Sequence, residues 1–171
     1  MEAIANAVGM SKRTVYAKYE DKAALFRASV RRAIERYTIP REALAAVGTE
    51  DIETALAEIA RIRIRNLMTP NSIKLQRILS AQAHRFPELF HAAFDEGAGP
   101  TIAFLSDLFE QKKAAGEIVV DDPRWAAGAF LSLAAGGPAR LIVSGLEMAP
   151  ADIEARIKSA VRLFLDGIRK R

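Results

Sequence analysis

Basic and hydroxyl side chains are concentrated between residues 11 and 22, in a pattern suited to contacting DNA. Arginine and lysine can donate to guanine O6 and N7 in the major groove, and hydroxyl groups and further lysines can bind phosphate oxygens. A few such side chains on one short helix are enough to recognise a DNA half-site. We therefore predict a DNA-binding surface formed by Ser11, Lys12, Arg13, Thr14, Tyr16, Lys18 and Lys22.

The positions of these residues predict separate roles. Lys12 and Arg13 stand at the start of a short helix, where recognition residues enter the groove. Thr14 offers a hydroxyl group to phosphate and a methyl group to thymine, and Tyr16 and Lys18 are placed to reach the DNA backbone. The alternative is that each basic residue is an ordinary surface charge exposed to solvent. The spacing of the residues within this segment favours DNA binding over that alternative.

The elements needed to hold this surface are two helices and a turn. Ile4 and Val8 lie four residues apart, on one face of a helix predicted over residues 2–8. Gly9 is typical of a helix C-terminus because it adopts positive φ without strain, and Ser11 can cap the following helix. Together these signals predict a helix-turn-helix, which places its second helix in the DNA major groove.

The charge distribution favours the same interpretation. The chain has a formal net charge of +4. Residues 1–37 hold eight basic and four acidic residues, which accounts for the whole excess, whereas the other residues hold seventeen of each. A basic segment attached to a neutral remainder is typical of a DNA-binding module joined to a regulatory domain.

Composition excludes several other classes of protein. The 171 residues include no cysteine, which excludes disulfides, thiolate metal sites and cysteine nucleophiles. Half of the residues are hydrophobic, so disorder is not expected. The sequence has neither a signal peptide nor an apolar run near the ~20 residues that span a bilayer, which predicts a cytoplasmic protein that does not bind membranes.

The sequence lacks the residue patterns that metal binding and catalysis require. His84 and His91 are seven residues apart with Pro87 between them, and no third ligand has metal spacing. Ser80, His84 and Glu88 do not form a recognisable nucleophilic constellation. We therefore predict no metal, no cofactor and no enzymatic activity. The alternative, a small helical enzyme acting on an apolar substrate, is opposed by the same absences.

Apolar residues recur three or four apart along almost the whole chain, and no stretch shows sustained β alternation, which predicts an all-α fold. Pro40 and Gly48 mark a junction over residues 38–50 between a head (residues 1–37) and a body (residues 51–171). The last helix of the head starts at the capping residue Asp21 and ends near residue 37. In the body we predict a helix from Asp51 to a break at residues 70–72, followed by helices over about 73–84 and 87–96. A turn at residues 97–100 leads into a helix that ends near residue 115. Two further helices begin at residues 123 and 150, and the first of these should be kinked near Ala134.

Several short segments share a specific spacing: Met1-Glu2-Ala3-Ile4-Ala5, Val8-Gly9-Met10-Ser11, Thr14-Val15-Tyr16, Tyr19 and Asp21-Lys22-Ala23-Ala24-Leu25-Phe26. This spacing resembles the DNA-binding domain of the tetracycline-repressor (TetR) family, in which Lys22 is similar to a phosphate-clamping lysine. In the body, Arg85-Phe86-Pro87-Glu88-Leu89, Gly116-Glu117-Ile118 and Asp121-Asp122-Pro123 resemble the AefR-like C-terminal subgroup. The resemblance implies a ligand-responsive regulator, most often a repressor, that binds a palindromic operator in double-stranded DNA as a homodimer and loses operator affinity when a small apolar effector binds the body.

The resemblance also implies that the first helix of the head is missing, because family members carry a further helix ahead of the position of Met1. Without it, Ile4, Val8, Val15 and neighbouring apolar side chains would lose part of their cover, at a cost of several kcal/mol at ~25 cal/mol per Å². We therefore expect the native protein to start upstream of Met1. An alternative is a helical small-molecule-binding or scaffold protein that does not bind DNA because this helix is absent.

Two further sites in the body follow from the resemblance. Family members enclose a small-molecule pocket among the middle helices, which here implies a pocket lined by His84, Phe90, Phe94, Phe104, Phe130 and Arg140. They also pair their last two helices across a two-fold axis, which implies a dimer interface of Trp125, Gly128, Phe130, Ile153, Ile157, Val161, Phe164 and Ile168. The alternative for the aromatic residues is structural core, and for the last two helices that they only complete the core of one chain.

Overall fold

A computed structural model describes residues 1–169, and over this range the predicted all-α fold is confirmed. The only β-type pairing among these residues is an isolated bridge between Ile118 and Arg169. The predicted body, residues 51–171, ends two residues beyond the described range. The helices are α1 (Glu2–Ala7), α2 (Lys12–Lys18), α3 (Lys22–Tyr37), α4 (Arg41–Ala45), α5 (Ile52–Leu67), α6 (Pro70–Gln82), α7 (Pro87–Gly97), α8 (Gly99–Ala114), α9 (Pro123–Leu131), α10 (Gly137–Ser144) and α11 (Pro150–Ile168), with a π-helical segment (Ser132–Gly136) between α9 and α10.

Side-chain caps fix the starts of five helices within residues 1–169: α2, α3, α5, α6 and α9. Asp21 accepts a hydrogen bond from the backbone N–H of Ala24 at 2.6 Å, and Asp122 accepts one from Trp125 at 2.9 Å. Thr69 caps α6 in the same way, so Pro70 begins this helix instead of only breaking the previous one. Proline is favoured in the first turn because the N–H that it lacks would have no helical partner there.

Two predicted non-helical segments turn out to be largely helical. The expected turn at residues 97–100 shrinks to the single residue Ala98, because Gly99 and Pro100 already belong to the first turn of α8. The expected junction at residues 38–50 contains α4, which buries Leu44, and Ile39 beside it is buried too. The junction is therefore packed structure that joins the head firmly to the body.

A π-helical segment, Ser132–Gly136, lies where the sequence predicts a kink near Ala134. Pro138 has no backbone N–H to donate, and in a regular helix its ring would meet the carbonyl group of Ala134. The wider π turn over Ser132–Gly136 relieves this conflict without ending the helix. Such π segments are frequent at functional sites, and this one faces a cleft described below.

The core has two parts. The larger cluster lies in the body, where α5, α8, α9 and α11 bury side chains such as Leu56, Phe109, Phe130 and Leu165. The smaller cluster joins α3 of the head to α6 and α7, with Val30 and Ile34 packed against body residues such as Phe86. Thr38, at the end of α3, also donates to the carbonyl oxygen of Glu96 in α7 at 3.2 Å. The orientation of α3 is therefore set by α6 and α7.

One stretch, Pro123–Ser144, is long and apolar enough to cross a membrane by length and composition alone, with a mean hydropathy of 1.4 over its best window. The sequence-based expectation that no such run exists is therefore wrong. In this fold the stretch contributes Ala127, Phe130 and Ala134 to the main core. Its apolar composition is thus explained in part by packing within the chain.

The N-terminal cap of α5 provides a test of local stability. The carboxylate of Asp51 accepts hydrogen bonds from the backbone N–H and the hydroxyl group of Thr54, and these bonds lower the pKa of Asp51 below its ordinary value of 3.8. We expect Asp51→Ala to lower the free energy of unfolding by about 1 kcal/mol at neutral pH. A carboxylate with a lowered pKa in the folded state stabilises fully above its unfolded pKa, and the stabilisation is lost as the pH falls through the folded value.

Urea unfolding of wild type and Asp51→Ala at neutral and strongly acidic pH measures both effects. The difference between the two proteins should shrink on acidification. Asp51→Asn is the matched control, because its amide oxygen still caps the helix and does not titrate. Equal stability of wild type and Asp51→Ala at neutral pH would show that the cap contributes nothing.

Candidate functional site

The head contains the predicted helix, turn and helix. Gly9 has a φ of +64°, in the left-handed region that favours glycine, and the N–H of Met10 donates back to the carbonyl oxygen of Ala5 at 2.9 Å. Ser11 then caps α2 by accepting from the N–H of Thr14 at 3.1 Å. The turn between α1 and α2 is therefore fixed by the positive φ of Gly9 and the Ser11 cap, both of which can be recognised in the sequence.

The second helix, α2, has one inward face and a wide exposed face. Val15 is its buried anchor. The seven predicted DNA-contacting residues, Ser11, Lys12, Arg13, Thr14, Tyr16, Lys18 and Lys22, are all exposed. All seven side chains therefore reach solvent, with Ser11 just before α2, five residues on α2 and Lys22 at the first residue of α3.

The hydrogen bonds and charges within this region differ from residue to residue. The hydroxyl groups of Ser11 and Thr14 bond to each other at 2.7 Å, and Lys12 lies 3.8 Å from the carboxylate of Glu2. Among residues 1–169, no carboxylate lies within ion-pair distance of Arg13 or Lys18. Lys22 is likewise unpaired among these residues, so Lys12 is the one cation of this predicted surface that a carboxylate of residues 1–169 approaches.

Burial around the turn is uneven. Ile4 and Val8 of α1 are 38% and 59% exposed, as expected for side chains without cover. Val15 of α2 and Val30 of α3 are both buried. The aliphatic side chains left uncovered around the turn are therefore Ile4 and Val8.

The body contains two adjoining clefts, with volumes of about 670 Å³ and 360 Å³. The larger lies between α5, α7 and the segment that includes α9 and the π turn, and the smaller lies between α5, α6, α7 and α10. Both are lined by Arg63, Leu67, Phe94, Ala98 and Gly136. Phe90 and Arg140, two of the predicted pocket residues, line the smaller cleft.

The other predicted pocket residues lie elsewhere. Phe130 is fully buried in the main core, where its ring centroid lies 5.2 Å from that of Phe164. Phe104 packs against the same core, and His84 is exposed and lines neither cleft. His84, Phe104 and Phe130 therefore line neither of these two clefts. Helical spacing identifies an inward face without saying whether a core or a cleft lies opposite.

Arg63 is the cleft residue that the sequence analysis missed. Its Nη1 donates to the carbonyl oxygen of Gly97 at 2.7 Å, and burial lowers the pKa of its guanidinium. A signal for it exists in the sequence, because Arg63 follows Leu56 and Ile59 by seven and four residues and both are fully buried. The same periodicity that predicts a core helix thus places one cation on the inward face of α5.

The C-terminal part of the chain matches a known family. The model for the AefR-like transcriptional repressor C-terminal domain matches residues 54–167, which is more than half of the sequence. The chain belongs to the TetR family. It is accordingly a transcriptional regulator with a helical ligand-binding body.

Solved structures of other TetR-family regulators resemble this chain over nearly its full length. The flavonoid-responsive regulator FrrA is 33% identical with a TM-score of 0.75, over 100% of this chain and 87% of that protein. A TetR-family regulator from Mesorhizobium loti is 27% identical with a TM-score of 0.73, over 99% and 86%. A third, from Pseudomonas syringae pv. tomato, is 21% identical with a TM-score of 0.75 over 100% and 86%, which supports the fold alone. Comparison with curated proteins found no match.

Most of the residues predicted for the dimer interface of this TetR-family chain belong to its own core. Phe130, Ile157 and Val161 are buried within a single chain. Ile153, Phe164 and Ile168 are partly buried and pack against the same cluster. Phe130, Ile157 and Val161 therefore present almost no surface to a second copy of the chain. The apolar stripe of α11 faces α5 and α9, so the core of one chain already covers it.

Trp125 and Gly128 lie in a different place. Both line the larger cleft, and Trp125 remains 74% exposed at its edge. A second exposed apolar surface is formed by Leu133 of the π segment, Leu146 after α10 and Leu163 of α11, which are 46%, 53% and 63% exposed. These leucines line an open depression of about 550 Å³ between α10 and α11, together with Pro138. We call this surface the outer face.

The described residues contain no group of three or more His, Asp or Glu side chains placed to hold a metal ion. The two histidines, His84 and His91, are both exposed. The TetR-family proteins that match this chain are transcriptional regulators and not enzymes. The features that distinguish this regulator are therefore the basic surface of the head, the clefts around Arg63 and the outer face.

Proposed function

We propose that this chain is a ligand-responsive repressor that binds a palindromic operator in double-stranded DNA as a homodimer. The observation that carries the proposal is the set of seven exposed basic and hydroxyl residues on α2 and at the start of α3. They lie within residues 1–37, whose net charge of +4 equals that of the whole chain. A short, capped, basic helix behind a glycine turn has the form of a DNA recognition helix.

Each residue has a proposed role at this interface. Arg13 and Lys12, on the first turn of α2, contact base edges in the major groove. Thr14 contacts a thymine methyl group or a phosphate. Tyr16, Lys18 and Lys22 bind the phosphate backbone. Ser11 holds the start of α2 through its cap. We assign DNA binding to residues 1–37 and ligand binding with dimerisation to residues 51–171.

Dimerisation through the outer face supplies the second recognition helix. Leu133, Leu146 and Leu163 form an apolar surface on the last helices, which is the kind of surface that a closed two-fold interface buries. Two copies related by a two-fold axis present two α2 helices to two half-sites, so the operator should be an inverted repeat. We propose a cytoplasmic location and no membrane partner.

The effector is proposed to bind in the clefts between α5, α6, α7 and α9. The relative FrrA is named as flavonoid-responsive, which favours a small, mostly apolar aromatic effector here. Phe90 and Phe94 on α7 line the smaller cleft, and α7 also packs against α3 of the head. A ligand that displaces α7 therefore changes the position of α3, and the coupling lowers operator affinity.

Selection of duplex DNA with the full chain tests the proposal. We expect enrichment of one inverted repeat. The logarithm of its binding constant should fall linearly with the logarithm of salt concentration, by about 0.9 for each phosphate contact. If no sequence is enriched and no duplex binds at low salt, DNA binding is wrong, and the remaining function is that of a helical small-molecule-binding protein.

A further inference from the structure

Arg63 is a cation to which residues 1–169 provide no acidic partner. Its guanidinium has five N–H donors, and the described residues provide one acceptor, the carbonyl oxygen of Gly97 at 2.7 Å. Among residues 1–169 no carboxylate lies within ion-pair distance of it, whereas Arg61 and Arg65 on the same helix both pair with glutamates. A charge that is partly removed from water and left unpaired destabilises the folded chain, so its presence calls for a functional reason.

The smaller cleft offers Arg63 an apolar, aromatic environment. Phe90 and Phe94 line it and are 49% and 56% exposed, so each presents ring surface to the cleft. Its lining includes a second cation, Arg140, and no aspartate or glutamate. Its charged and aromatic lining is therefore complementary to an anionic ligand that carries a ring.

The larger cleft is less suited to the anionic end of such a ligand. Its lining includes the carboxylate of Asp122, which accepts the N–H of Trp125 at 2.9 Å as the cap of α9. An anion placed there would be repelled by this group, although Arg124 lies nearby. The anionic group therefore belongs in the smaller cleft, with Arg63 at the boundary between the two.

We propose that this cleft binds an aromatic molecule carrying a carboxylate or phenolate, with its anionic oxygen on the guanidinium of Arg63 and its ring against Phe90 and Phe94. This rests on the proposed function and specifies the chemical class of the effector. A charge-assisted, two-pronged hydrogen bond to an oxyanion is the interaction for which an arginine fork is best suited. Binding also offsets the cost of the unpaired charge, which makes the cleft selective against neutral analogues.

Matched ligand pairs on the wild-type chain provide the first test. The probes are aromatic carboxylates of increasing ring number, each beside its own methyl ester, with binding measured by calorimetry and by thermal shift. The ester keeps the ring and removes the charge. We expect the acids to bind about 10- to 100-fold more tightly than their esters, as for a hydrogen bond to a charged group.

Variants of Arg63 provide the second test. Arg63→Gln should weaken binding of the acids by the same factor and leave binding of the esters unchanged. Arg63→Lys should be intermediate, since it retains the charge and loses the fork. Arg65→Gln is the matched control, because Arg65 lies on the same helix with its side chain exposed and paired with Glu58. It should bind every probe as wild type does.

Three outcomes would overturn the inference. They are equal binding of acids and esters by wild type, wild-type binding of the acids by a folded Arg63→Gln, and binding of neither acids nor esters. The comparison on wild type does not depend on whether any variant folds. Failure of the proposed function appears separately, as absence of operator binding by the ligand-free chain. Acid-selective binding by a chain that does not bind DNA would retain the inference and reject the repressor.

Discussion

Arg13→Ala is expected to weaken operator binding by about 2–6 kcal/mol per dimer, because one bidentate contact to guanine contributes about 1–3 kcal/mol and each dimer loses two. Arg13 is exposed on the first turn of α2, and among residues 1–169 no carboxylate pairs with it. Binding to duplexes without the operator should change far less. Fluorescence anisotropy on the selected operator and on a scrambled duplex, at several salt concentrations, measures both quantities.

Two other variants separate base contacts from simple charge effects. Lys18→Ala, at the end of α2, should weaken binding to operator and scrambled DNA alike and reduce the salt slope by about two, because each dimer loses two phosphate contacts at about 0.9 each. Arg31→Ala removes an exposed charge from α3, outside the seven predicted contact residues, and serves as the matched control. If Arg13→Ala lowers both affinities equally, Arg13 contacts only phosphate and the assignment of base recognition is wrong.

Helix starts and the turn of the head could be predicted from the sequence because local chemistry decides them. The capping residues Ser11, Asp21, Asp51 and Asp122 each accept a backbone N–H three residues ahead, as short polar side chains before an apolar-periodic run do. Gly9 takes the positive φ that few other residues tolerate. These features need no knowledge of the rest of the fold.

The partner of each buried face could not be predicted in the same way. Ile157 and Phe130 lie on apolar stripes of their helices. An apolar stripe indicates that one helix face is buried, but it does not indicate whether that face packs against the same chain or against a second copy. The proline residues were ambiguous for a related reason, since Pro70 and Pro100 both stand where a helix either ends or begins. In each case the choice depends on residues distant in the sequence.

Arg63 shows a further limit of prediction from the sequence. Arg61, Arg63 and Arg65 alternate along α5 and are indistinguishable by residue type, yet only Arg63 reaches the clefts. Its periodicity with Leu56 and Ile59 indicates an inward direction, but a charged residue there is ordinarily assumed to extend to solvent. The presence of a cleft opposite α5 is a property of the assembled helices.

Leu163→Asp is expected to weaken the dimer by about 3–6 kcal/mol, because each copy loses a buried leucine worth about 1.5–3 kcal/mol. An unpaired carboxylate in the interface adds to this loss. Leu163 lies on the outer face and is 63% exposed in the single chain, so the substitution should leave the fold intact. Sedimentation equilibrium measures the dimer constant, and far-ultraviolet circular dichroism confirms that the variant remains helical.

Two control variants show which face of α11 contacts the partner. Val119→Asp replaces a side chain of similar exposure, 61%, away from the outer face, and should dimerise as wild type does. Ile157→Asp, on the inward face of α11, should instead unfold the monomer, because Ile157 is buried in the main core. A folded Leu163→Asp that retains the wild-type dimer constant would show that the outer face is not the interface. Operator affinity should fall together with the dimer constant, since a lone head recognises only one half-site.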